Sequence, residues 1–65
     1  MSDWNIVKDF INKNNYVPKT SINILIANII LSWENYVEEY PISLRQWIDG
    51  ISDGAYGSIE DFDFD

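Results

Sequence analysis

The sequence predicts an all-α fold, a small bundle of two or three helices with a short acidic C-terminal tail, open to pairing as a dimer. Three observations predict it. Apolar residues recur at helical spacing in three separate segments. A residue able to cap the first turn stands before each of them: Ser2, Thr20 or Ser21, and Ser43. The chain of 65 residues also has no cysteine and no histidine, so it lacks disulfides and the usual small-domain zinc sites and must rest on packing, alone or with self-association. With 46% hydrophobic and 15% aromatic residues it has the material for a core.

The first helix is read from Asp3 to Asn14. Ser2 caps it, Asp3 lies in the first turn where the helix dipole favours an acid, and Ile6, Val7, Phe10 and Ile11 make one stripe, with Trp4 nearby. Asn14-Asn15 is a stop, because Asn tolerates the left-handed conformation that ends helices. Tyr16-Val17-Pro18 is an extended connector, since the residue before proline avoids the helical region.

The second helix starts after Thr20 or Ser21 and is read to about Tyr40. Ile22, Ile26, Ile29, Trp33, Tyr36 and Tyr40 step by three and four and form a heptad-like seam. Leu25, Ile30 and Val37 widen it. Ile24, Ala27 and Leu31 add apolar groups on the opposite side, so the segment is apolar almost all round and asks for burial on more than one side. The many Ile residues admit a strand reading of Ile22 to Leu31; the helical period extends over more turns and is preferred. Two short helices leave apolar surface on this helix uncovered, and an isologous homodimer along helix 2 would cover it.

The third helix has the clearest start. Ser43 and Gln46 form a Ser-x-x-Gln capping box, with Ile42 and Trp47 at the positions of a hydrophobic staple. Leu44, Trp47, Ile48 and Ile51 follow at i, i+3, i+4 and i+7. Gly50 weakens this helix a little and Gly54 ends it. The domain reading is therefore a helical unit over residues 1–54 and an acidic aromatic tail over residues 55–65. The tail ends in Ile59-Glu60-Asp61-Phe62-Asp63-Phe64-Asp65. As a strand it would put the Phe residues on one face; as a free segment it is an acidic peptide with aromatic anchors; folded back, it would cover the helical core. Over these seven residues it resembles the acidic, Phe-containing C-terminal tips of bacterial single-stranded DNA-binding proteins, without their terminal Phe.

The net charge is -7 and it is divided unevenly: residues 1–33 carry +1 and residues 34–65 carry -8, with Arg45 the only cation in that half. Direct contact with nucleic acid or anionic membrane is disfavoured, because both need clustered Lys and Arg. A basic partner is favoured. General acid–base catalysis by His and nucleophilic catalysis by Cys or a Ser–His pair are excluded by composition, and no enzyme activity or cofactor is expected. Asp61, Asp63 and Asp65 alternate, yet the Asp-x-Asp-x-Asp-Gly loop of a calcium site and its closing Glu are missing, so no metal site is expected. No basic and then apolar leader is visible in the first residues, and the longest apolar stretch is too short to span a bilayer, so a soluble cytoplasmic protein is expected.

The expected partner-binding residues are Glu34, Glu38, Glu39, Asp49 and Asp53 on helices 2 and 3, with Glu60, Asp61, Asp63 and Asp65 of the tail. Carboxylates one helical turn apart lie about 5–6 Å apart, close to the spacing of phosphates along a nucleic acid strand. They can therefore occupy a groove built for nucleic acid. The expected function is an acidic inhibitor or decoy, of a DNA-mimic type, for the basic surface of a nucleic-acid-binding protein, as in phage or mobile-element inhibitors of restriction, CRISPR or replication proteins. The alternatives are an adaptor that docks through its apolar helix ridge and Phe-bearing tail, and an antitoxin or immunity protein that neutralises a basic toxin.

Overall fold

In the computed structural model, which describes residues 2–64, the order is α1 (Asp3–Lys13), α2 (Ile22–Val37), α3 (Leu44–Asp53) and a short 3-10 turn (Ile59–Phe62), with no strand among the described residues. Each helix begins at its serine. Ser2 Oγ accepts from Asn5 N (3.3 Å), Ser21 Oγ from Ile24 N (3.2 Å) and Ser43 Oγ from Gln46 N (3.2 Å). Gln46 completes the reciprocal box by accepting from Ser43 N at 3.0 Å. Such caps satisfy amides that have no partner within the helix and stabilise it by about 1 kcal/mol each.

The helix ends have local causes. After Lys13 the chain turns through Asn15, whose φ of 54° is in the left-handed region, while Asn14 Nδ2 donates to the Phe10 carbonyl at 2.8 Å. α3 ends at Gly54, with φ of 83°, as expected of a glycine beyond the last helical residue. α2 stops at Val37, three residues short of the expected Tyr40. Glu39 N and Tyr40 N both return to the Tyr36 carbonyl, closing a turn ahead of Pro41, and proline keeps Tyr40 out of the helical region. The loss is also electrostatic: Glu34 is in the last turn and Glu38 caps it, with no basic residue there to oppose the negative end of the dipole.

The core joins one face of each helix. Val7, Ile11, Leu25, Ile26 and Ile29 are fully enclosed between α1 and α2, and burial of such side chains stabilises by about 1.5–3 kcal/mol each. Leu44, Trp47, Ile48 and Ile51 bring the strongly one-sided α3 against them. Of the seam on α2, Ile26 and Ile29 are buried and Ile22, Trp33 and Tyr36 pack against the core; Tyr40, beyond the helix end, is 54% exposed. Trp33 Nε1 donates to the Ile42 carbonyl at 3.0 Å and fixes the α2–α3 connector.

Residues 55–64 run back over the bundle. Tyr56 and Ile59 pack against the core and Phe62 enters it. Trp47 is the centre of this closure. It stacks on Tyr56 (centroids 4.9 Å apart, 17° between planes), meets Tyr36 at 5.0 Å and takes Phe62 edge-on at 6.0 Å. These are favourable aromatic geometries, worth about 0.5–1.5 kcal/mol a pair beyond area burial. The buried Trp47 Nε1–H has no acceptor among the described residues.

Gly50 has a role that helix propensity hides. A Cβ there would overlap Cδ2 and Cε2 of Tyr56, whose ring lies against the bare backbone, and the Gly50 carbonyl accepts from Ala55 N at 2.8 Å. The glycine is the landing site of the returning chain. Gly50→Ala is therefore expected to lower stability by about 1–3 kcal/mol, as overpacking does, where the removal of an ordinary mid-helix glycine would raise it by about 0.5–1 kcal/mol. Urea unfolding followed by circular dichroism reads the sign directly.

Candidate functional site: the acidic surface

Glu34, Glu38, Glu39, Asp49, Asp53, Glu60 and Asp61 are all exposed. Among the described residues, the side-chain hydrogen bonds accepted by acidic groups belong to Asp61 and Asp63. Asp61 accepts from Ser58 N at 2.9 Å and steadies the 3-10 turn. The others leave their oxygens to solvent or to a partner. Glu34 and Glu38 are four residues apart on α2, and Asp49 and Asp53 are four apart on α3, so each pair shares one side of its helix.

The placement of these acids runs against the helix dipoles. α1 obeys the dipole rule, with Asp3 in its first turn and Lys13 in its last. α2 has no acid in its first turn and ends in Glu34 and Glu38; α3 has none in its first turn and ends in Asp53. An acid at the negative end of a helix costs about 0.3–1 kcal/mol, and each like-charged pair one turn apart a few tenths more.

Asp49 has closer company than the sequence suggests. It lines an open cleft of about 450 Å³ between α1 and α3, with Asp9, Lys13 and Arg45 around it and Ile6, Phe10 and Ile48 among the apolar lining. Two of the chain's four cations thus share the cleft with two carboxylates. No cluster of three or more potential metal-binding side chains occurs among the described residues.

Asp63, expected in the partner-binding set, is turned inward and belongs to the fold. It is only 8% exposed. Its Oδ2 accepts from the Tyr16 hydroxyl at 2.8 Å and Lys19 N at 2.6 Å, and its Oδ1 accepts from Thr20 N at 3.2 Å and the Thr20 hydroxyl at 2.7 Å. Asn28 Nδ2 donates to the carbonyls of Phe62 and Phe64 on either side of it, at 2.9 and 3.1 Å. The hydrogen bond from Lys19 N, joined by those from Thr20 and Tyr16, lowers the Asp63 pKa to about 2, and burial opposes them. The hydrogen bond to Asp63 in turn pushes the Tyr16 phenol up to about 12. Asp63 sits beside the start of α2, the positive end that lacks an acid of its own. Phe62, the other expected anchor, is buried, while Phe64 is 54% exposed. The expected contribution of Asp65 lies outside the described residues.

Together these features define the class of the protein: a three-helix α-protein closed by its own C-terminal segment, with seven exposed carboxylates between Glu34 and Asp61. No protein-family model, curated protein or solved structure matches the chain. No helix among the described residues is long and apolar enough to cross a membrane.

Asp63 provides an acid-stability signature. Its folded pKa of about 2 is below its ordinary value of 3.8, so its contribution is complete above 3.8 and is lost as pH falls towards 2. Asp63→Asn is expected to lower the melting midpoint by several degrees at neutral pH. Between pH 3.8 and about 2, its midpoint should change less than that of the natural chain. Calorimetry across that range tests both statements.

Proposed function

We propose that this protein is an acidic inhibitor or decoy that occupies the basic, nucleic-acid-binding surface of another protein. The observation that carries this reading is the set of exposed acids held at the wrong ends of their helices. Glu34, Glu38 and Asp53 each weaken a fold that has no disulfide to spare it. Surface acids kept for solubility could sit anywhere on the outer faces; acids that oppose the dipoles of two helices are explained by a partner that needs them there. Glu34, Glu38, Glu39 and Asp53 form the stronger part of the surface. Asp49, Glu60 and Asp61 extend it, and Asp49 presents Arg45 and Lys13 beside it for acidic groups of the partner. The setting is the cytoplasm, and the class is the phage or mobile-element inhibitor of defence or host nucleic-acid enzymes.

The complex should be strongly salt-sensitive, because exposed charges are screened within about 8–10 Å at physiological ionic strength. The test joins binding to stability. Glu34→Gln, Glu38→Gln, Asp49→Asn and Asp53→Asn together should raise folding stability by roughly 1 kcal/mol by relieving the dipole and like-charge terms. The same variant should lose capture of any partner that the natural chain takes from a bacterial lysate at low salt, and that duplex DNA displaces. A partner held equally by the neutralised variant, or one that DNA does not displace, contradicts the reading.

A further inference from the structure

The outward side of α2 has a character unlike the rest of the surface. From Thr20 through Trp33 the chain has no charged residue, although its net charge is -7. Within this run Ile24 is 42% exposed and Leu31 57% exposed. Seven residues turn a helix through almost two full turns, so the two share one side, with Ala27 between them. Phe64, 54% exposed, is brought to the same helix because its carbonyl accepts from Asn28 Nδ2. Three of the exposed large apolar residues thus collect on or beside one neutral strip. They lie opposite the side that Leu25, Ile26 and Ile29 bury.

We infer that this strip is the interface of a homodimer in which two α2 helices pair antiparallel about a two-fold axis at Ala27 and Asn28. The spacing is self-complementary. With the axis there, Ile24 of each copy opposes Leu31 of the other, which an isologous interface requires. Ala27 lets the helices approach closely beside the axis, Asn28 is held by the carbonyls of Phe62 and Phe64 at its edge, and Ile24 and Leu31 fill the space on either side. Charge selects the antiparallel arrangement. Along α2 itself, from Thr20 through Trp33, the strip brings no charged side chain to the contact between two copies. Continued by another seven residues, the same side reaches Glu38. The antiparallel pair therefore sets Glu38 and the negative end of one α2 near Lys19 and the positive end of the other. A parallel pair would set Glu38 against Glu38. The heptad seam that reads most clearly in the sequence is not this interface, since its Ile26 and Ile29 are in the monomer's own core.

The dimer does not rest on the proposed decoy activity, although Glu38 borders both contacts, and its salt dependence has the opposite sign. Added salt screens the repulsion between two chains of net charge -7 and tightens an apolar contact, where it loosens a charge-driven one. Sedimentation equilibrium of the full chain from micromolar to millimolar concentration should show a mass rising from 7.6 kDa to twice that value. The association should strengthen with salt. Leu31→Glu should raise the dimer dissociation constant roughly 100-fold or more, because the change enters the interface twice, while the helical circular dichroism stays unchanged. The chain has no thiol of its own, so Ala27→Cys should oxidise readily to a disulfide dimer, and Val17→Cys, 83% exposed and off the strip, should not. Mass that stays at 7.6 kDa throughout, a dimer indifferent to Leu31→Glu, or equal cross-linking of the two cysteine variants would overturn the inference. If Leu31→Glu disturbs the helix content, the cysteine pair decides.

Discussion

The carboxylate of Asp63 takes hydrogen bonds from Tyr16, Lys19 and Thr20, and through it the last described turn is fastened to the start of α2. Much else depends on that fastening. It holds Phe62 in the core beside Trp47, which in turn supports Tyr56 over Gly50. Asn28 grips the backbone on both sides of Asp63. A chain this short buries only about 60% of its unfolded surface. With no disulfide, its bundle gains a further layer of core from residues that could otherwise have been a free tail.

Once the C-terminal segment is committed in this way, the described acids of residues 34–64 divide into two kinds. Asp61 and Asp63 build structure. Glu34, Glu38, Glu39, Asp49, Asp53 and Glu60 do not, and several of them work against it. Glu34 and Glu38 strain the end of α2, which terminates short of the length its apolar seam allows. This conflict between local stability and surface charge is what a decoy surface would produce. The two contacts proposed above differ in kind, a charged one on the ends of α2 and α3 and a neutral one along the exposed side of α2.

The local features of the fold were legible because their causes are local. Ser2, Ser21 and Ser43 cap the helices they precede, Asn14-Asn15 and Gly54 end theirs, and Ile22, Ile26, Ile29, Trp33 and Tyr36 lie in or against the core as their spacing demands. What escaped was carried by distance along the chain. Asp63 meets Tyr16 across 47 residues and Thr20 across 43, and periodicity has no reach at that separation. The alternation of Asp and Phe near the end suited a strand, a free acidic peptide and a folded cover equally. The useful signal was at the other partner: α2 has no acid in its first turn, a positive end in need of an anion, and the amides of Lys19 and Thr20 just before it donate to Asp63. Gly50 was misjudged for a similar reason, since propensity sees an entropy cost and cannot see the Tyr56 ring that needs the space. Of the acidic surface, the residues other than Asp63 and Asp65 were legible as exposed; the nearness of Lys13 to Asp49 was not, because the two line one cleft only when α1 packs on α3, whereas Arg45 stands one turn before Asp49 on α3 itself.

The most direct test of the account is native-state hydrogen exchange at the amides of Lys19 and Thr20. Both precede α2 and would exchange freely if the C-terminal segment were a loose tail. Because both donate to Asp63, they should be protected about as strongly as the interior amides of α2 around Ile29 and open only with the whole fold. Rapid exchange at Lys19 and Thr20 alongside a protected α2 would contradict the account and return the C-terminal acids to solvent.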